Sequence, residues 1–406
     1  MSGQDESGTD GGQWHPRTRA VRSGLMRSPF QETAEAIYLT SGYAYDSPDQ
    51  AAARFTGDDD GYIYSRYANP TVAMFEQRLA ALEGAEACFA TASGMAAIFA
   101  TFAGALSSGD HIVAARQIFG SINKVITGHL SRFGIAHTFV DAADLDAWRA
   151  AITPRTKMLF LETPANPTLD VFDIAAIADI AHEAGALLVV DNVFATPVLQ
   201  KPLTLGADVV VYSATKHMDG QGRVLGGAVL GRRDFIDETI QPFLRHTGAA
   251  LSPFNAWVLL KGLETLELRV LAMNDSALKT ARFLEEKLGP GKVRYPGLES
   301  HPQHALAMRQ MSGRGGTVVA FELPGGREGA FRFLGGLKLI DISNNLGDAK
   351  SLITHPASTT HSAVSEEERL KQGITEGLVR LSVGLEHVLD IIGDISGALA
   401  LAGLLE

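Results

Sequence analysis

In Ser213-Ala214-Thr215-Lys216 two hydroxyls stand within three residues of a lysine, and Asp191 ends the apolar run Leu187–Val190. A third cluster, Ser93-Gly94-Met95, opens an apolar stretch with helical composition. These residue types can do specific work. A lysine amine condenses with a carbonyl carbon to form a Schiff base. Hydroxyls beside it, and backbone N–H groups at a helix start, bond an anion such as phosphate. A carboxylate at a strand end can hold a cationic ring nitrogen. Taken singly, each has an ordinary explanation: most lysines are solvated, many strand-end aspartates cap a helix, and Ser-Gly commonly opens one. Chemistry requires that they converge, which depends on the elements that carry them.

Five short apolar runs, Ala87–Ala90, Ile112–Ala115, Met158–Leu161, Leu187–Val190 and Val209–Tyr212, are bounded by turn residues and read as strands buried on both faces. Helical patterns alternate with them. Asn69-Pro70 opens one helix, with Val72, Phe75, Leu79 and Leu82 at helical spacing and Gly84 as its stop; another spans about Asp173 to Ala184. Such alternation predicts an α/β fold with a mostly parallel sheet flanked by helices. In a parallel sheet the segments after the five runs emerge at one edge, where open α/β sheets bind ligands. Those segments hold Ser93-Gly94, Phe119-Gly120, Glu162 with Asn166, Asp191, and Ser213 to Lys216.

Helical segments over about 252–288 and strand candidates at Thr317–Leu323, Leu339–Ser343 and Leu378–Val383 predict a smaller α+β C-terminal domain. The expected division is an N-terminal segment over 1–69, a ligand-binding domain over 70–265 and the C-terminal domain over 266–406. If the strand ends converge, the residues meet the requirements of pyridoxal 5′-phosphate (PLP). Lys216 would form the Schiff base and Asp191 would hold the pyridine nitrogen. Ser213, Thr215 and the N–H groups of Gly94 and Met95 would bind the phosphate. A nucleotide-binding dehydrogenase is the competing class, but the Ser93-Gly94 turn lacks Gly-x-Gly-x-x-Gly.

Composition narrows the partners. The 406 residues are 46% hydrophobic and 20% charged, as expected of a globular chain with a large core. A net charge of −11 argues against nucleic acid or an anionic membrane as partner. The single cysteine, Cys88, excludes an internal disulfide and a multi-cysteine metal site, so no metal is expected and the compartment should be reducing, as in cytoplasm. Met1–Gln13 is Gly-, Ser- and acid-rich and reads as a disordered tail. The uncharged run Ala87 to Gly109 is interrupted by Ser93-Gly94, which predicts strand, turn and helix rather than a membrane span.

From about Thr18 onward the chain resembles the Cys/Met-metabolism, or trans-sulfuration, family of PLP enzymes. The markers are Tyr64-Ser65-Arg66-Tyr67-Ala68-Asn69-Pro70-Thr71, Ala92-Ser93-Gly94-Met95-Ala96-Ala97, Glu162-Thr163-Pro164-Ala165-Asn166-Pro167, Val190-Asp191-Asn192 and Tyr212-Ser213-Ala214-Thr215-Lys216. The resemblance implies the type I, aspartate-aminotransferase-like fold and assembly as a homotetramer, a dimer of dimers. It implies that Tyr64 and Arg66, on the N-terminal segment, reach the phosphate of a neighbouring subunit's cofactor, with Tyr64 also catalytic beside Lys216. It places Phe119 on the cofactor ring, Asn166 by the ring hydroxyl, and Arg380 on the substrate α-carboxylate, with Asn166 and Asn345 also toward the substrate. An arginine inside the apolar strand candidate Leu378–Val383 supports a ligand role independently, because such a charge is costly without a partner.

Within that family, the stretches at 61–67, 219–227, 251–257 and 344–352 resemble O-succinylhomoserine sulfhydrylases. Many relatives carry serine where Asn345 stands and tyrosine where Phe119 stands. Losing the phenol disfavours expulsion of a thiolate, whereas succinate, with a conjugate acid of pKa about 4, needs little protonation. The expected reaction is γ-replacement: Lys216 as general base, loss of succinate, and addition of sulfide to give homocysteine, as in methionine biosynthesis. Cystathionine γ-synthase and O-acetylhomoserine sulfhydrylase are the alternatives. Arg116, Arg223 and Lys350 are candidate cations for the succinyl carboxylate, and His217, beside the lysine, reads as a packing histidine.

Overall fold

The computed structural model describes residues 14–404, so the tail expected over Met1–Gln13 lies outside the described residues. Its strands are β1 (Ala87–Thr91), β2 (His111–Ala115), β3 (Ala136–Val140), β4 (Thr156–Glu162), β5 (Leu187–Asp191), β6 (Val209–Tyr212), β7 (Gly227–Gly231), β8 (Val293–Arg294), β9 (Val318–Glu322), β10 (Asp341–Ile342), β11 (Leu352–Thr354) and β12 (Leu378–Ser382). Among the described residues they form a seven-stranded sheet and a five-stranded sheet. By compactness the chain divides into two units. One comprises residues up to Ala105, Val211–Thr215 and Arg223–Thr265; the other comprises Leu106–Val210, Lys216–Gly222 and the chain from Leu266 onward.

In the first unit β1 runs antiparallel to β7, with Ala87 opposite Gly231 and Thr91 opposite Gly227. The uncharged run from Ala87 is indeed a strand, a turn and the helix Gly94–Ala105, which Ser93 caps by accepting Ala96 N–H at 3.2 Å. Helix Pro70–Glu83 begins as expected: Asn69 accepts from Thr71 N–H, Pro70 takes the first turn, and Gly84 closes it in the left-handed region. That helix also buries Arg78, held by Glu35 at 2.6 Å, Glu264 at 3.4 Å and the Ser23 carbonyl at 2.9 Å.

In the second unit four strands lie in the order β3-β2-β4-β5, all parallel. Glu162 ends β4 directly opposite Asp191, the last residue of β5. β3 was not among the expected strands because Ala-His-Thr-Phe-Val is half-exposed and lacks a continuous apolar run. The five-stranded sheet has the order β10-β11-β12-β9-β8, with β12 antiparallel to both β11 and β9. Helices Leu266–Leu288, Gly326–Gly336 and Val388–Leu401 contribute Leu284, Phe333 and Ile395 to a core with Phe321 and Val379 of the sheet. The helical segments expected over 252–288 are two helices, Pro253–Glu264 and Leu266–Leu288, whereas β10 is shorter than the expected Leu339–Ser343.

Candidate active site

Arg380 sits in the middle of β12, where every residue is buried, and it is itself 2% exposed. Its guanidinium bonds only neutral oxygens: Nη1 donates to Asn166 Oδ1 at 2.8 Å, and Nη2 to the carbonyls of Asn344 at 2.9 Å and Asn345 at 3.2 Å. Its Nε is buried with no hydrogen-bond partner among the described residues. Burial pulls its pKa down to about 10, opposed by the nearby carboxyl of Glu162. A buried cation held by dipoles alone retains a strong demand for an anion.

Asn345 links this arginine to the lysine. While its carbonyl accepts from Arg380, its side-chain Oδ1 accepts from Lys216 Nζ at 2.5 Å. The loop that carries it is docked on the lysine segment: Ala349 N–H donates to the Gly220 carbonyl, and Gly220 N–H donates to that of Lys216, both at 2.8 Å. Gly347 makes the approach possible, since it takes a φ of +72° and a Cβ there would lie 2.7 Å from His217 N. Burial lowers the Lys216 amine to about 8, and the Arg380 charge pushes in the same direction. His217 faces inward as packing: its Nε2 meets Thr317 Oγ1 at 2.7 Å, and its carbonyl accepts from Arg269.

Two carboxyls share the edge of the parallel strands. Asp191 accepts Val193 N–H at 3.0 Å, and burial raises its pKa to about 7. Glu162 accepts Phe119 N–H at 2.9 Å through Oε2 and Asn166 N–H at 3.2 Å through Oε1. Burial, then repulsion from Asp191, raises Glu162 well above the usual carboxylate range. Phe119, Glu162, Asn166, Asp191, Lys216, Asn345 and Arg380 thus all belong to the second unit. Sequence reasoning placed Glu162 after its strand but gave it no role; the available signal was a carboxylate closing an otherwise apolar run.

The residues expected to bind the phosphate lie in the first unit. Ser213 packs against Gly94 so tightly that a Cβ on the glycine would sit 2.6 Å from Ser213 Cβ, which leaves the amides at the start of helix Gly94–Ala105, including that of Met95, beside a hydroxyl. Thr215 Oγ1 exchanges bonds with the Gly226 backbone, accepting at 3.1 Å and donating at 3.2 Å. Tyr64 is 42% exposed, and the Arg66 guanidinium lies 5.4 Å from its ring and 5.0 Å from that of Tyr67, with one N–H on the Arg245 carbonyl. Of the candidate cations, Arg116 pairs with Glu368 at 3.1 Å, Lys350 lies 3.5 Å from Asp348, and Arg223 is exposed.

These residues fit PLP. A glycine-backed helix start beside Ser213 suits a phosphate, a strand-end carboxyl whose ionised form is penalised by burial gains its missing counter-charge from a cationic ring nitrogen, and an amine lowered to about 8 suits Schiff-base formation. A lysine with a strand-end carboxylate in the second unit, and an anion cradle in the first, are parts that the class of PLP-dependent enzymes requires. The comparisons with known proteins agree and go further. The family model for "Cys/Met metabolism PLP-dependent enzyme" matches residues 17–400, and the chain belongs to that family. It is 56% identical over 387 residues to an O-succinylhomoserine sulfhydrylase of Mycobacterium tuberculosis, covering 94% of this chain and 95% of the relative. It is 51% identical over 383 residues to one from Pseudomonas aeruginosa, covering 94% of each. Among solved structures, a Campylobacter jejuni O-acetylhomoserine (thiol)-lyase homologue carrying N′-pyridoxyl-lysine-5′-monophosphate superimposes with a TM-score of 0.92 at 36% identity, covering 95% of this chain and all of that one. Among the described residues no helix is long and apolar enough to cross a membrane.

Proposed function

We propose that the protein catalyses γ-replacement on O-succinylhomoserine, with sulfide as nucleophile and homocysteine and succinate as products. The observation that carries this reading is the shared residue Asn345, which touches the Lys216 amine with its side chain and the Arg380 guanidinium with its carbonyl. An α-amino acid whose carboxylate is held by Arg380 then presents its Cα–H to the lysine. The relatives that are 56% and 51% identical are named for this reaction.

When bound, PLP supplies an electron sink for the charge left at Cα. The chain's own residues do the rest. Lys216, lowered to about 8, has a far larger neutral fraction near physiological pH than an exposed lysine, and in that form it takes the α-proton as general base and returns one at the end. Arg380 replaces part of its dipolar shell with the substrate carboxylate, a planar match. Asp191 holds a proton at the ring nitrogen, while Ser213, Thr215 and the amides of Gly94 and Met95 grip the phosphate. Because Asn166 Oδ1 is committed to Arg380, its NH2 is the group left to donate to the ring oxygen. Phe119 supplies a ring face and no proton, which suits a leaving carboxylate of pKa about 4.

Residues 70–265 would then form the cofactor domain and 266–406 the C-terminal domain, in a cytoplasmic homotetramer. The exposed Tyr64 and Arg66 on segment 1–69 would serve a neighbour's cofactor, Tyr64 as a catalytic partner of the lysine. The succinyl tail calls for a cation, and Arg116, Arg223 and Lys350 are the candidates. Purified enzyme supplied with O-succinylhomoserine should form homocysteine with sulfide faster than cystathionine with cysteine. Faster cystathionine formation, or preference for the acetyl ester, would overturn the assignment.

A further inference from the structure

The mechanism gives Glu162 no step, yet both of its oxygens are engaged inside the site. It is 3% exposed, and its two acceptors grip backbone amides on different loops, Phe119 at 2.9 Å and Asn166 at 3.2 Å. Partners opposite each other in a parallel pair share a face, so the buried Glu162 and the half-buried Asp191 are two acids side by side. That is an expensive placement for a residue whose task is only to fill space. A glutamine would fill it without the like charge. What a carboxyl adds is acceptor capacity on both oxygens in either protonation state, whereas a glutamine NH2 accepts nothing. Asn166, gripped through its backbone, holds the Arg380 guanidinium through its side chain at 2.8 Å.

We propose that Glu162 is a positioning residue that locks the backbone at Phe119 and Asn166 and, through Asn166, aims Arg380 at the substrate α-carboxylate. This assignment rests on Arg380 being the carboxylate clamp. Glutamine in either amide orientation leaves one of the two N–H donors facing an NH2. The loss should appear in carboxylate binding more than in cofactor loading.

The test is the dissociation constant for a non-reacting α-amino acid, L-norleucine, read from the change in visible absorption of the PLP-loaded enzyme. Glu162→Gln should weaken binding about tenfold. Asn166→Ala should weaken it at least as much, and the double variant should be no worse than Asn166→Ala alone, because one residue acts through the other. Glu162→Asp, too short to reach both amides, gives the same direction and serves if the glutamine variant misfolds. Binding within twofold of wild type in a folded, loaded Glu162 variant, or additive losses in the double variant, would overturn the proposal. Unchanged binding in Arg380→Lys would instead remove the clamp reading, and the proposal with it.

Discussion

Two buried arginines show how differently the same side chain is used in this molecule. Arg78 is fully buried and neutralised: Glu35 and Glu264 lie 2.6 and 3.4 Å away, and the Ser23 carbonyl takes a third bond. Arg380 is as deeply buried but, among the described residues, has no carboxylate at ion-pair distance, only an amide oxygen and two carbonyls. The first arrangement is complete within the chain. The second remains incomplete until an anion arrives, which is what a ligand site requires. Burial of a charge is thus uninformative until its partners are counted.

This contrast can be broken experimentally. Arg380→Ala should lower kcat/KM about 10³-fold, roughly 4 kcal/mol, with a melting temperature close to wild type; a large loss of stability with kcat/KM intact would reverse the two roles. Arg78→Ala should do the opposite and remove about 3 kcal/mol of stability, because the buried Glu35 loses one of its two cations, keeping only Lys261 at 3.0 Å, and a fully buried side chain is truncated, while activity per folded molecule stays near wild type. Denaturant titration beside an active-site count separates the two. Arg149→Ala, at an exposed pair with Glu183, should change stability by no more than about 0.5 kcal/mol, which shows that burial rather than pairing makes the Arg78 cluster matter.

The pH dependence of Lys216 sharpens the same point. Burial favours its neutral form, the form that attacks a carbonyl, so PLP capture by the cofactor-stripped chain should rise with pH and level off above about 8. Below that the rate should fall about tenfold per unit. Stopped-flow absorbance would show it, and a rate still climbing past 10 would mean the amine is solvated. A smaller effect tests the exposed cluster. Neither Arg66→Ala nor Lys216→Ala should be active alone, but mixed and refolded together they should recover a part of wild-type activity if Arg66 serves a neighbour. No recovery in verified hetero-oligomers would place Arg66 with its own subunit.

Much of the site was legible because buried parallel strands leave a strong trace. The runs at 112–115, 158–161, 187–190 and 209–212 are continuous in apolar residues, and their structural bounds differ by two residues at most. Arg380 announced itself as a charge in such a run. The half-exposed β3 and the short β8 and β11 carry no comparable pattern. The Asn345 contact with Lys216 was hidden for another reason: it spans 129 positions and depends on a loop docked through Gly347. Glu162 was visible but silent, since only tertiary structure brings the Phe119 amide, 43 residues earlier, onto its oxygen.

The central claim is that Lys216 carries the cofactor. Borohydride reduction of the loaded enzyme, followed by digestion and peptide mass mapping, tests it directly. A pyridoxyl-phosphate adduct is predicted on the peptide containing Lys216, in proportion to the cofactor bound. An adduct on another lysine, with Lys216 recovered unmodified, would contradict the account.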